Sequence, residues 1–193
     1  MENEMEKNQN SIQNDARDRA LHCYGTAKVV EKRLRNLNRI DKIAKFLGLI
    51  LPLSIGSFVV TVGTDTALAP KLLYISGILG AFQLIITLWS LIDNWSGKLE
   101  DYMESKIKNM YYTDVFTEIG MRYKEDEAKY ANLFNDTKIL DNIQQGRDHK
   151  INITEKERRF GMRHALFQFR QICAGCKKIP SLGKPIKCDV CGN

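Results

Sequence analysis

Two stretches without a single charged side chain constrain this chain more than any other feature. Phe46–Thr64 holds 19 residues and Leu72–Ile92 holds 21, and none is Asp, Glu, Lys or Arg. As helices they would be about 28 and 32 Å long, which matches a hydrocarbon core of roughly 30 Å. The alternative is a buried helical hairpin of a soluble protein. The remaining 153 residues carry all 52 charged side chains and offer too little apolar surface to wrap two such rods. The mean hydropathy of −0.32 reads as soluble only because it averages over this segregation.

The chain therefore reads as two membrane spans joined to an ordinary polar protein. Met1–Asn14 is polar and acidic and the first apolar stretch begins well inside the chain, unlike a signal peptide. The link Asp65–Lys71 is too short to hold a domain, so the spans form a hairpin with both termini on one side. Lys28–Lys45 holds seven basic residues (Lys28, Lys32, Arg33, Arg35, Arg39, Lys42 and Lys45), whereas the link holds one, Lys71. Lys and Arg favour the cytoplasmic side, which places both termini in the cytoplasm. Trp89, Trp95 and Tyr102 near one end of the second span, and Tyr74 near the other, fit interfacial belts.

Polar residues within the spans fall on single helix faces. Ser54, Ser57 and Thr61 follow i, i+3, i+7, and Ser76, Gln83, Thr87 and Ser90 follow i, i+7, i+11, i+14. Such groups should avoid lipid and face protein or water. Two uses are compatible with that. One is helix packing, helped by the small residues Gly56, Gly77 and Ala81. The other is a pore lining in an oligomer, because two helices alone cannot enclose a channel. Ser54, Ser57, Thr61, Gln83, Thr87 and Ser90 are the candidate residues for either role.

The rest of the chain reads as helical. Ser11–Lys45 lacks proline and spaces Ala20, Tyr24, Ala27, Leu34, Leu37 and Ile40 at helical intervals. Leu99, Met103, Ile107 and Met110 form an apolar stripe after the second span, and Phe116, Ile119, Tyr123, Tyr130 and Phe134 continue one. Both stripes are expected to make core contacts or contacts between copies. Asn135–Thr137 and Gly146–Asp148 read as breaks. Thr154 with Glu157 three residues on forms a capping box, opening a last helix to about Gln171. Its basic side, Lys156, Arg159, Arg163 and Arg170, reads better as a solvated face than as a nucleic-acid surface, because Glu155 and Glu157 are interspersed.

The strongest local motif is Cys173-Ala-Gly-Cys176 and Cys188-Asp-Val-Cys191, two CxxC pairs separated by 11 residues. Each CxxC turn aims two thiolates at one point, and two turns supply the four tetrahedral ligands of a structural Zn²⁺. Gly175 and Gly192 suit such turns. Ile179–Gly183 reads as the tip between two short strands, and Pro185–Lys187 as the lead into the second pair. Lys177, Lys178, Lys184 and Lys187 offset the local charge. A segment of 21 residues cannot bury a core and needs such a staple. Disulfides would suit a cytoplasmic tail poorly, and a thioredoxin-type redox motif lacks its βαβ context. Cys23 reads as a small core residue. His22, His149 and His164 suggest no second metal site, and the chain has no HExxH, GxxxxGK[ST] or GxGxxG. With no nucleophile–base pair and no open metal position, the chain reads as a non-enzyme.

These features together resemble the SLATT superfamily of two-transmembrane effectors. The resemblance is carried by the basic helix containing Arg19-Ala-Leu-His-Cys-Tyr-Gly-Thr-Ala27, the tight hairpin and the helical tail over about residues 15–135. The spacing Cys173-x2-Cys176-x11-Cys188-x2-Cys191 resembles a SLATT-like set found on mobile elements. The resemblance implies an effector in the bacterial inner membrane that oligomerises and permeabilises it when a nucleotide-signalling or sensor protein detects infection. The expected order is a cytoplasmic basic helix (1–45), a transmembrane hairpin (46–92), a cytoplasmic helical region (93–171) and a zinc ribbon (172–193). A membrane-anchored adaptor whose ribbon recruits a protein or nucleic acid is the competing expectation. A regulatory subunit of a membrane complex is a third.

Overall fold

The computed structural model describes residues 2–62, 69–182 and 187–192, with side chains from Ser11 onward except at 58, 59, 62, 69, 72 and 73. Five helices follow one another: α1 (Glu2–Val62), α2 (Ala69–Ile92), α3 (Trp95–Arg122), α4 (Glu127–Asp148) and α5 (Glu155–Gln168). Among the described residues there is no strand. The mainly helical class is as expected. The two short strands expected to flank the tip 179–183 are not seen among the described residues around the cysteines, and the Pro185–Lys187 lead-in lies mostly outside them.

The contacts divide the chain into two units, residues 1–33 with 102–193, and residues 34–101. The segments expected as a basic helix, a cytoplasmic region and a ribbon thus all contribute to the first unit. Its core joins Ala16, Ala20 and Cys23 of α1 to Tyr112, Phe116 and Ile119 of α3, Tyr123, and Tyr130 and Phe134 of α4. Phe116 and Ile119 are fully buried, each stabilising the fold by about 2–3 kcal/mol. Their spacing is the apolar stripe read from the sequence. Phe116 and Phe134 meet edge to face at 5.9 Å.

The chain turns between α3 and α4 at Tyr123–Asp126, where Asp126 caps α4 by accepting from the Lys129 backbone N–H at 3.1 Å. The break expected at Asn135–Thr137 does not occur, and α4 runs through it to Asp148. Weak helix formers cost only tenths of a kcal/mol each, and the burial of Phe134, Thr137 and Asp141 on one side outweighs that. The break at Gly146–Asp148 is real, since α4 ends there. The capping box at Thr154 and Glu157 opens α5 as read, but α5 stops at Gln168, three residues early.

The stripe Leu99, Met103, Ile107 and Met110 is not a core stripe. Met103 and Ile107 are 49% and 61% exposed. The buried side of α3 there is Ser105, Asn109 and Thr113. These face Asp148, which accepts from Ser105 Oγ at 2.7 Å, Asn109 Nδ2 at 2.7 Å and Gln144 Nε2 at 2.8 Å. Nearby, the fully buried Asp141 accepts from Arg19 Nη1 at 2.5 Å and Gln145 Nε2 at 2.9 Å. A buried polar group is tolerated when its partners are buried with it, and this seam satisfies that condition.

The second unit holds the apolar segments. Within α2, Tyr74–Ile92 is long and apolar enough to cross a membrane, and none of that window is buried. Residues 46–62 of the first segment belong to α1, which contains Pro52. Its end and the link before Ala69 lie outside the described residues.

Candidate metal centre

Cys173, Cys176, Cys188 and Cys191 place their four Sγ atoms within 4.8 Å of one another. Cys173 Sγ lies 3.8 Å from Cys188 Sγ, and Cys176 Sγ lies 3.7 Å from Cys191 Sγ. A tetrahedral Zn²⁺ with Zn–S near 2.3 Å requires sulfurs ~3.8 Å apart. A disulfide requires about 2.05 Å, so the separations fit a shared metal ion and not two bridges.

Local turns aim the thiols. Lys177 N–H donates to Cys173 O at 2.9 Å and Cys173 N–H to Lys178 O at 3.0 Å, with Lys177 at φ 56°. In the second knuckle Gly192 N–H donates to Cys188 O at 2.8 Å. Gly175 is needed for room. A Cβ there would stand 3.0 Å from Cys188 Sγ and 3.1 Å from Val190 Cγ2. Backbone N–H groups of Cys191 and Val190 donate toward Cys188 and hold its thiol at about 7, below its ordinary value. Burial pushes the Cys191 thiol up. A cation between the sulfurs offsets that burial cost by favouring the thiolate.

The cysteine module is built into the helical unit. Cys173 and Cys191 are fully buried in a cluster with Leu21 of α1 and Ala165 and Leu166 of α5. Arg163 was expected on a solvated basic face, yet it is 2% exposed and its Nε donates to the Ser181 carbonyl at 2.8 Å. Pro180, the residue before Ser181, is fully buried. The guanidinium ties the loop between the two CxxC pairs to α5. Sequence reading missed this because an arginine among charges on a helix reads as solvated. Lys177, Lys178 and Lys187 are exposed, and Lys184 lies outside the described residues.

The span residues separate into two groups. Ser54 Oγ, Thr61 Oγ1 and Thr87 Oγ1 donate back to Ile50 O, Ser57 O and Gln83 O at 2.8, 2.7 and 2.9 Å. These hydroxyls are satisfied within their own helices, so hydrogen bonding alone does not require them to face water. Gln83 differs. Its Nε2 donates to Ala44 O at 3.0 Å, bridging α2 to α1. Gly48 makes the space, since a Cβ there would stand 2.8 Å from Gln83 Nε2. Ser57 is exposed, and Ser90 half-buried.

Cys23 is buried and donates to Asp141 at 3.4 Å, and burial with that carboxylate pushes its thiol up. It is a core residue, as expected. A cavity of about 700 Å³ beside it is lined by Arg19, His22, Asn109, Asp141, Asp148 and His149 among others. No sequence motif announces it, because its walls come from four helices, α1, α3, α4 and α5, and the turn between the last two.

The spacing of the four thiols agrees with the comparison of the sequence with known families. The family described as mobilome CxxCx(11)CxxC protein matches residues 13–193. The chain belongs to this family. The match runs from the first core turn of α1 to the last residue, so membership rests on the helices as well as on the cysteines. The mobile-element part of the expected resemblance stands on this match. No curated protein and no solved structure matches the chain. Among the described residues, Cys173, Cys176, Cys188 and Cys191 form the group able to hold a metal ion.

Proposed function

We propose that this protein is a membrane effector of a bacterial conflict system that assembles and permeabilises the inner membrane once activated. The observation that carries the reading is the exposed apolar surface of residues 34–101. Tyr74–Ile92 is uncharged and unburied, and Phe46, Leu49, Leu53 and Val60 on α1 are each more than half exposed. Water does not support such a surface on a monomer, whereas a bilayer does. The Gln83–Ala44 bond supports reading α1 and α2 here as a two-span hairpin. The seven basic residues of Lys28–Lys45 favour cytoplasmic termini. The mobile-element family and the SLATT resemblance supply the conflict setting and the permeabilising outcome. The ion in the cysteine module is proposed to be a structural Zn²⁺, with no catalytic role for any side chain.

A specific observation favours a second reading, an anchored adaptor. Phe167, Ile172, Ile179 and Leu182 around the cysteine module are 39–65% exposed, a surface suited to recruiting a protein. One experiment separates the two. Regulated expression with a membrane-potential dye should show depolarisation by the wild type and a weaker effect of Gln83→Leu. An adaptor would give no depolarisation under any trigger and would tolerate Gln83→Leu. The full chain must be used, because Ala16, Ala20 and Cys23 of α1 complete the core of the tail.

A further inference from the structure

Over one stretch of each helix, residues 103–113 of α3 and 137–148 of α4, a set of polar side chains is buried while a set of apolar ones faces outward. On α3, Ser105, Asn109 and Thr113 are buried, while Met103, Ile107 and Tyr111 are 49–61% exposed. On α4, Thr137, Asp141, Gln144 and Asp148 are buried, while Ile139, Leu140 and Ile143 are 50–60% exposed. In both helices the exposed apolar positions lie about a third to half a turn from the middle of the buried polar face, except Leu140, which borders that face at the α3 side. The helices run antiparallel, and two contacts set their register. Arg147 Nη1 meets Glu104 Oε1 at 3.1 Å, and the Phe116 and Phe134 rings meet at 5.9 Å. Ile107 is therefore level with Ile143, and Tyr111 with Ile139 and Leu140, all away from the shared core.

The six side chains expose roughly 600 Å² of apolar surface, taking ~200 Å² for each when fully exposed. That reaches the upper end for a monomer's largest patch and approaches the ~800 Å² per partner of a standard interface once flanking polar groups are included. Lipid is a poor occupant. A surface resting on anionic head groups is ringed by Lys and Arg, but here Glu104, Asp114, Glu118 and Asp136 outnumber Lys108 and Arg147 around the patch.

We propose that this outer face, centred on Ile107, Tyr111, Ile139 and Ile143, is where a second copy of this chain docks. The choice of occupant rests on the assembling-effector reading, in which two helices per chain cannot enclose a pore and several copies must meet. The apolar face then has a use that the folded monomer lacks, and the buried polar seam sets its direction by holding the polar sides of α3 and α4 inward.

Native mass spectrometry of the full chain in mild detergent tests this. The wild type should appear as integer multiples of the chain mass. Ile107→Glu and Ile143→Glu should each weaken self-association at least tenfold, with helicity and bound zinc unchanged because both positions point outward. A monomeric wild type overturns the proposal, as does self-association untouched by both variants. Species whose extra mass belongs to a different protein on this face overturn it too. The dye assay keeps the two readings apart. Variants that still associate and still depolarise remove this face and leave the effector. Variants that no longer associate but still depolarise keep the face and remove assembly from the mechanism.

Discussion

Gly161 and Gly25 mark where α5 crosses α1 most closely. A Cβ on Gly161 would stand 2.5 Å from Gly25 O and 2.9 Å from Val29 Cγ2, whereas a Cβ on Gly25 would stand 3.2 Å from the Gly161 carbonyl. Backbone cannot swing aside as a side-chain end can, so overpacking of this kind costs about 1–3 kcal/mol. Gly161→Ala should lower the thermal midpoint measurably, and Gly25→Ala by less. Equal, negligible effects in thermal unfolding would show that the crossing is slack. Near the same crossing Arg33 holds Glu157 by a pair of hydrogen bonds, at 2.7 Å from Nε and 2.6 Å from Nη2. That guanidinium, helped by the Thr154 backbone N–H and hydroxyl and opposed by partial burial, holds the Glu157 carboxyl at about 2 against an ordinary 4.5. A depressed carboxyl stabilises the fold above its unfolded value and loses that contribution as pH falls toward the folded one. The advantage of wild type over Glu157→Gln should therefore be complete above about pH 4.5 and vanish toward pH 2. Acid titrations followed by circular dichroism would check it, and a constant gap between the two curves would refute it.

The polar seam between α3 and α4 is the element that most departs from ordinary helix packing. Asp148 gathers Ser105, Asn109 and Gln144 in the interior, so Asp148→Ala would leave three donors without their acceptor. Each stranded donor costs about 1–3 kcal/mol. Partial rearrangement brings the expected total to about 2–4 kcal/mol, read as a shift in the denaturation midpoint. Asp148→Asn should lose less, because its carbonyl still accepts. The seam also explains which parts of the fold were legible in the sequence. Hydrophobic spacing gives the phase of a helix but assumes that the apolar side faces inward. The assumption held for Phe116, Ile119, Tyr123, Tyr130 and Phe134, where no buried polar alternative competes. It failed for Met103 and Ile107, because residues far apart in sequence satisfy one another's hydrogen bonds on the other face. Asp126 as the true start of α4 was readable from its acidic first turn, but Asn135–Thr137 drew attention as the stronger local signal. The CxxC spacing was fully legible because its chemistry is local. Its attachment through Arg163 and Leu21 was not, since no local pattern encodes a contact between elements.

At the scale of the whole molecule, the cysteine module and the helical unit share one core, and this changes what metal loss should do. A ribbon hung on a linker would unfold alone. Here Cys173 and Cys191 pack against Leu21 of α1 and against Ala165 and Leu166 of α5, and Arg163 grips the Ser181 carbonyl. Structural zinc in small Cys-rich modules contributes apparent free energies of about 10–16 kcal/mol, more than the whole stability of many domains. Removing it would expose the buried thiols and take away one wall of that cluster. We therefore expect one zinc per chain, and we expect chelation to lower amide protection around Leu21 and along Ala165–Leu166 as well as at residues 173–191. Cys173→Ser should reproduce the pattern, while Cys23→Ser should keep the metal, because Cys23 lies in the other cluster with Asp141 as its partner. Hydrogen exchange with and without chelator distinguishes the cases. Loss of protection confined to the tail would mean that the helices stand without the metal, and that the cysteine module is an appendage and not a keystone of the α1–α5 contact.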